Sequence, residues 1–243
     1  MFKRCMKLTW RNPETFVVGV LLPVVLLVIF NYVFGGAMDT GTGVAYINFV
    51  FIGVVAVAIC QGAMTQATVV CADIQKGVLD RFISMPISRS SFIIAHVLAA
   101  TVRTLIALVL LFAVGFAMGF RPSADFAQWL GAMVIILGFI LTMSWLGVMF
   151  GLLCKTVEGS ASVPALAQIL VFLSSAFAPT ATMAAGFRHF AEYQPITPIV
   201  DTLRYLFLGI GEARTLEVIL WITGLLTIGF VFSLLIFKRR TKN

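Results

Sequence analysis

Residues 46–70 read YINFVFIGVVAVAICQGAMTQATVV, twenty-five positions without an Asp, Glu, Lys or Arg. A hydrocarbon core of about 30 Å is crossed by roughly 20 helical residues, so this run is long enough to span a bilayer. Five more apolar runs surround it, at about residues 16–34, 92–119, 129–153, 161–182 and 216–237. The third carries Arg103 and the fifth carries Pro164 and Pro179. Proline is tolerated in membrane bundles, where neighbours satisfy the freed carbonyls. The pattern predicts an all-α membrane protein with six transmembrane helices, residues 15–243 forming one domain behind a short segment, 1–14.

Composition agrees. Of the 243 residues, 60% are hydrophobic, 11% are charged and 22 are Phe. A soluble domain carries about 25% charged residues, too many more for this chain to coat a water-facing surface. Disorder is excluded by the same numbers. The net charge of +7 does not indicate nucleic acid, because the basic residues sit at the ends of the apolar runs. Twelve of the 17 Lys and Arg flank the runs on one side: Lys3, Arg4, Lys7, Arg11, Lys76, Arg81, Arg89, Lys155, Lys238, Arg239, Arg240 and Lys242. Only Arg121, Arg188, Arg204 and Arg214 fall on the other. The positive-inside rule therefore places both termini in the cytoplasm. A basic start before an apolar run also resembles a signal peptide, but the run is longer than a usual h-region and Gly35-Gly36-Ala37 is a poor cleavage site.

Three connecting segments carry helical patterns of their own. Phe2, Met6 and Trp10 share one face with Lys3, Lys7 and Arg11 beside it, a basic amphipathic helix suited to the cytoplasmic interface. In residues 72–84, Ile74, Val78 and Phe82 line one face, while Asp73, Lys76 and Asp80 occupy the opposite one. Such a cytoplasmic helix needs a surface on its own bundle or on a soluble partner to bury its apolar face. In residues 197–209, Thr197 caps a helix with Pro198 at its first position and Gly209 at its end. Its face is formed by Ile199, Val200, Leu203, Leu206 and Phe207, with a polar stripe of Thr197, Asp201 and Arg204. At this length it cannot cross a bilayer, and a re-entrant or interfacial helix is expected.

Polar residues within the runs are few. Gln61, Thr65 and Thr68 share a face of the second run, and Arg103 follows His96 by seven positions on the third. Intramembrane charge marks a pathway or bundle interior, or snorkels to an interface, and both readings of Arg103 stand. Gly115-x-x-x-Gly119 and Gly147-x-x-x-Gly151 permit close helix approach without naming an interface. Cys5, Cys60, Cys71 and Cys154 show no metal spacing and read as reduced, packed thiols. The sequence contains no G-x-x-x-x-G-K-[ST] and no G-x-S-x-G, so neither a phosphate cradle nor a nucleophile elbow is expected. Catalytic, metal and cofactor sites are not expected in this chain.

Residues 73–89, DIQKGVLDRFISMPISR, and residues 194–204, QPITPIVDTLR, together with Gly119-Phe120-Arg121, resemble the permease subunits of type-2 ABC exporters, in particular their daunorubicin and multidrug resistance branch. The likeness departs at Ile83, where many relatives carry an arginine. It implies a bacterial inner-membrane homodimer, or a pair with a paralogous permease, bound to two ATP-binding cassette subunits that hold ATP and Mg. Carried over residue by residue, Asp73, Lys76, Gly77, Asp80 and Arg81 fall in the coupling helix that meets the ATPase. Pro195, Pro198, Asp201, Arg204 and Gly209 fall in the re-entrant helix before the last span. The implied cargo is an amphipathic drug, lipid or glycolipid. A polysaccharide or lipid-linked glycan suits the same fold, and an intramembrane interaction or immunity protein is the reading from a different class.

Overall fold

The computed structural model describes residues 13–35, 45–79 and 90–240. Eight α-helices occur among them: α1 (Pro13–Ile29), α2 (Tyr46–Gln75), α3 (Ser90–Met118), α4 (Phe126–Leu153), α5 (Val157–Phe172), α6 (Ala185–Tyr193), α7 (Ile196–Leu208) and α8 (Thr215–Arg240). No strand occurs among the described residues. The expected interfacial helix at residues 2–11 lies outside them, as do Asp80, Arg81 and Cys5.

Helices α2, α3, α4 and α8 are long and apolar enough to cross a membrane; α1 and α5 are apolar but shorter. The run at 16–34 is α1 continued by a π-helical turn, Phe30–Phe34, with Pro23 inside the α-helix. The run at 161–182 is helical only to Phe172, a correction whose cause lies in side chains beyond the helix. The Ser174 hydroxyl donates to Val171 O (2.6 Å) and the Gln194 amide to Leu170 O (2.9 Å). These side chains take the carbonyls that a further turn would use. The chain then runs through Pro179 into a 3₁₀ turn, Thr180–Thr182.

Helix α2 is the axis of the bundle. It packs against α1, α3, α4, α5 and α7, and is buried at every position from Phe49 to Cys60. That explains why residues 49–60 have no polar side: a stretch apolar all round is one surrounded on all sides. Helix α4 lies on α2 along Gly147 and Gly151. A Cβ at Gly147 would sit 2.7 Å from Ala63 O, and one at Gly151 2.6 Å from Ala67 O. The small-residue spacing in α4 thus belongs to the α2–α4 contact. Helix α8 packs on α4 through Val218, Gly229, Ser233 and Phe237 and leaves Leu216, Leu220, Phe232 and Leu235 exposed. Asp125 caps α4, accepting from Gln128 N at 2.7 Å while the Gln128 side chain accepts from Asp125 N at 2.8 Å, a reciprocal capping box.

The elements alternate in direction, which gives the bundle two distinct ends. One carries Lys76, Lys155 and Lys238–Arg240, where Gln75 donates to Lys155 O (2.8 Å) and Arg240 to Cys154 O (3.4 Å). The other carries α7, the turn after α5, and the α3–α4 link, where Ser123 N donates to Phe207 O (2.9 Å).

Candidate functional site

Two polar clusters are built into this apolar frame, one toward each end. The first joins α2 and α3. Gln66 and Asp73 stand seven residues apart on α2, as do His96 and Arg103 on α3, so each helix presents two polar groups two turns apart on one face. Facing each other, they form a chain. Asp73 Oδ2 lies 3.4 Å from His96 Nε2, His96 Nδ1 lies 3.2 Å from Gln66 Nε2, and Arg103 Nη2 donates to Gln66 Oε1 at 2.9 Å. All four residues are buried. Phe92 packs on the imidazole with ring centroids 4.6 Å apart.

The polar face expected on α2 is displaced from this chain. Thr65 and Thr68 donate to Gln61 O and Met64 O of their own helix, both at 3.0 Å. Gln61 is half-buried. Thr65 and Arg103 do share the lining of a cavity of about 20 Å³ between α1, α2 and α3. Arg103 therefore ends inside the bundle, held by Gln66. Gln66 is the residue that sequence reasoning passed over; its signal was the matched seven-residue spacing on consecutive helices.

The segment expected as one amphipathic helix over residues 72–84 is interrupted. Helix α2 continues to Gln75 and is stopped by Lys76 and by Gly77 at φ 65°, a left-handed conformation that favours glycine. Asp73 consequently belongs to the last turn of α2 and faces inward, whereas Lys76 is exposed. Beyond the break Leu79 folds back onto Phe92, Val148, Leu152 and Phe237.

The second cluster centres on α7, where Thr197 and Arg204 of the polar stripe are buried with most of the apolar face and Asp201 is half-buried. Arg204 Nη1 lies 3.2 Å from Asp201 Oδ1, and Nη2 donates to Ser175 O at 3.0 Å, Ala176 O at 3.4 Å and Phe49 O at 3.5 Å. The guanidinium sits 3.7 Å from the Phe49 ring centroid, a cation–π contact. The Ser175 hydroxyl completes the group by donating to Asp201 Oδ1 at 2.6 Å. Burial lowers the Arg204 guanidinium to about 10, with Asp201 opposing that shift. Burial raises the Asp201 carboxyl, against the pull of Ser175, Arg204 and Arg214. The helix is entered through Pro195 in place of the expected Thr197 cap, and the Thr197 hydroxyl instead accepts from Ser175 N at 3.4 Å. Gly209 ends α7 at φ 67° as anticipated, and Pro198 lies in its buried first turn. Beside this cluster opens a cavity of about 670 Å³, bounded by Asp201, Arg204, Thr180 and residues 210–217. Arg214 is anchored there by Glu217, 2.7 Å from Nη2, and by Glu192 O, 3.1 Å from Nη1.

A buried arginine paired with a half-buried carboxylate on a short helix, at one end of an apolar bundle, and a break after α2 at the other are the features placed by the two loop motifs. The profile of the family described as "ABC-2 type transporter" matches residues 1–208. The chain belongs to the ABC-2 type transporter family. This type-2 ABC permease is 28% identical over 191 residues to the daunorubicin resistance ABC transporter permease protein DrrB1 of Streptomyces coeruleorubidus, covering 78% of this chain and 67% of that one. It is 26% identical over 236 residues to the putative transport permease ycf38 of Porphyra purpurea (94% and 79% covered). It is 25% identical over 211 residues to the probable doxorubicin resistance ABC transporter permease protein DrrC of Mycobacterium tuberculosis (82% and 73% covered). Both polar clusters fall within the matched residues of the ABC-2 permease, apart from Arg214 and Glu217 at the rim of the cavity.

Proposed function

We propose that this permease is the membrane subunit of an ATP-driven exporter, moving an amphipathic drug, lipid or glycolipid out of the cytoplasm or the inner leaflet of a bacterial inner membrane. The observation that carries the proposal is the family match over residues 1–208, which includes both the interrupted end of α2 and the buried polar helix α7. ATP and Mg are held by two separate ATP-binding subunits, in keeping with the absence of a phosphate-binding loop motif from this sequence. Two permease chains, identical or paralogous, complete the transporter.

In this reading all six apolar elements cross the membrane, with both termini in the cytoplasm. The clustering of Lys76, Lys155 and Lys238–Arg240 at one end of the bundle supports that orientation. Helix α7, at 13 residues, is the re-entrant element on the outer side. The segment from Lys76 through Asp80 and Arg81 docks on the ATPase, with Asp73 as its inward anchor. ATP-driven closure of the ATPase pair displaces this segment and biases the bundle between inward- and outward-open states. Binding free energy acts on the transport equilibrium only to the extent that it differs between those states.

Single cysteines placed at Lys155 and at Glu212 test the orientation with a membrane-impermeant maleimide. Labelling from outside is expected at residue 212 alone; labelling at residue 155 overturns the topology. The docking assignment is tested by co-purification. Wild-type permease is expected to retain its ATP-binding subunit and to hydrolyse no ATP without it. Replacing Lys76 and Asp80 together by Ala is expected to weaken retention by about tenfold or more, as for charged pairs desolvated at an interface, with membrane insertion unchanged. Undiminished retention removes these residues from the interface.

A further inference from the structure

The chain from Asp73 to Arg103 dictates its own proton arrangement. A guanidinium is a donor only, and Arg103 Nη2 stands 2.9 Å from the side-chain amide of Gln66. The amide must therefore present its oxygen to Arg103, since the opposite flip sets donor against donor. Its NH₂ is then directed at His96 Nδ1, 3.2 Å away, so that nitrogen must carry a lone pair. A neutral His96 consequently holds its proton on Nε2, facing Asp73 Oδ2 at 3.4 Å. An imidazolium would place a second N–H against the amide donors.

Gln66 is itself confined. Its Cβ would lie 3.2 Å from a Cβ at Gly147, so α4 closes directly over it. His96 is walled by Phe92 and is 1% exposed, and Arg103 is 9% exposed. The chain thus links the last turn of α2, three residues before the Lys76 break, to Arg103 two helical turns deeper in the bundle.

We propose that Gln66 is a positioning residue for transport: bonded to Arg103 and His96 together, it holds His96 as the Nε2–H tautomer and ties the end of α2 to the bundle interior. Displacement of the end of α2 then reaches Arg103 through the close approach of Asp73 to His96 and the two hydrogen bonds of Gln66. The role in transport rests on the function proposed above, while the tautomer assignment does not depend on it.

The sequence contains two histidines, His96 and His189, so His189→Gln leaves His96 as the sole signal in ¹⁵N-histidine-labelled full-length protein. The wild-type signal is expected to show a proton on Nε2 and a lone pair on Nδ1. Gln66→Glu, which offers acceptors to both neighbours, is expected to move the proton to Nδ1 or to protonate both nitrogens. A wild-type signal from Nδ1–H or imidazolium overturns the proposal, as does a Gln66→Glu spectrum identical to wild type. In the complex with the ATP-binding subunit, Gln66→Leu is expected to retain the subunit while lowering its ATP turnover about tenfold. Unchanged turnover overturns the positioning role. Failure of the wild-type chain to retain an ATP-binding subunit refutes the exporter reading and leaves the tautomer result standing.

Discussion

Arg204→Ala is expected to destabilise the permease by about 2–4 kcal/mol, the cost of leaving a half-buried carboxylate and several buried carbonyls without their donor. The side chain holds together three separate pieces of chain: Asp201 on its own helix, the carbonyls of Ser175 and Ala176 in the turn after α5, and Phe49 near the start of α2. Its loss leaves the Asp201 carboxylate with Ser175 and removes the donor serving two carbonyls of a non-helical stretch. Buried backbone acceptors without donors are costly. Arg204→Lys keeps the charge but loses the planar fork that reaches several oxygens at once, so an intermediate loss is expected. Asp201→Asn is expected to cost less than Arg204→Ala, because its amide oxygen still accepts from Ser175. Unfolding in mixed detergent micelles measures the series. A loss below about 1 kcal/mol for Arg204→Ala would show that the cluster does not secure α7.

The second large effect is expected at the α2–α4 contact. Gly151→Leu places a Cβ where Ala67 O stands at 2.6 Å and Val70 Cβ at 2.8 Å. The first obstacle is backbone, which cannot rotate away as a side chain does, so the helices must separate. Overpacking of a well-filled core costs about 1–3 kcal/mol, and more where backbone must move. Gly147→Leu adds the same conflict one turn away, against Ala63 O at 2.7 Å. The double variant is expected not to accumulate in the membrane as a folded protein. Gly224 on α8 is the control, since nothing lies within 4 Å of a Cβ there; Gly224→Ala is expected to fall within about ±0.5 kcal/mol of wild type. Equal expression and melting of the Gly151→Leu and Gly224→Ala variants would dissociate the glycine spacing from helix packing.

The long helices were legible because an apolar run of 22 or more residues with at most one charge has few other fates. Spans expected at 92–119, 129–153 and 216–237 became Ser90–Met118, Phe126–Leu153 and Thr215–Arg240. Boundaries failed where distant side chains intervene. Nothing local to Phe172 announces that the carbonyl of Leu170 is taken by Gln194, 24 residues beyond Leu170. Thr197 has the composition of a cap, yet its hydroxyl is committed to Ser175, and Pro195 opens the helix instead. The break at Gly77 divides what periodicity joins, because amphipathic spacing in residues 72–84 carries no information about the φ of one glycine. The polar stripe of α7 was correctly composed, but its burial depends on the turn after α5, which no pattern in residues 197–209 reveals. Gln66 was missed for a similar reason: its importance lies in a partner helix, not in its neighbours.

Helix α2 also has a thermodynamic consequence. It alone contributes residues to both polar clusters, Asp73 at one end and Phe49 at the other, about 36 Å apart along a 1.5 Å rise per residue. If an ATP-binding subunit docks at Lys76 as proposed above, a molecule that shifts Phe49 by occupying the cavity beside Arg204 acts on the same helix that the subunit would displace. Linkage would make such influence mutual: if nucleotide on that subunit weakens occupancy of the cavity by some factor, occupancy must weaken the nucleotide-bound state by that factor. Under that proposal, the affinity of the ATP-binding subunit for nucleotide would report on what occupies the cavity at the opposite end of α2.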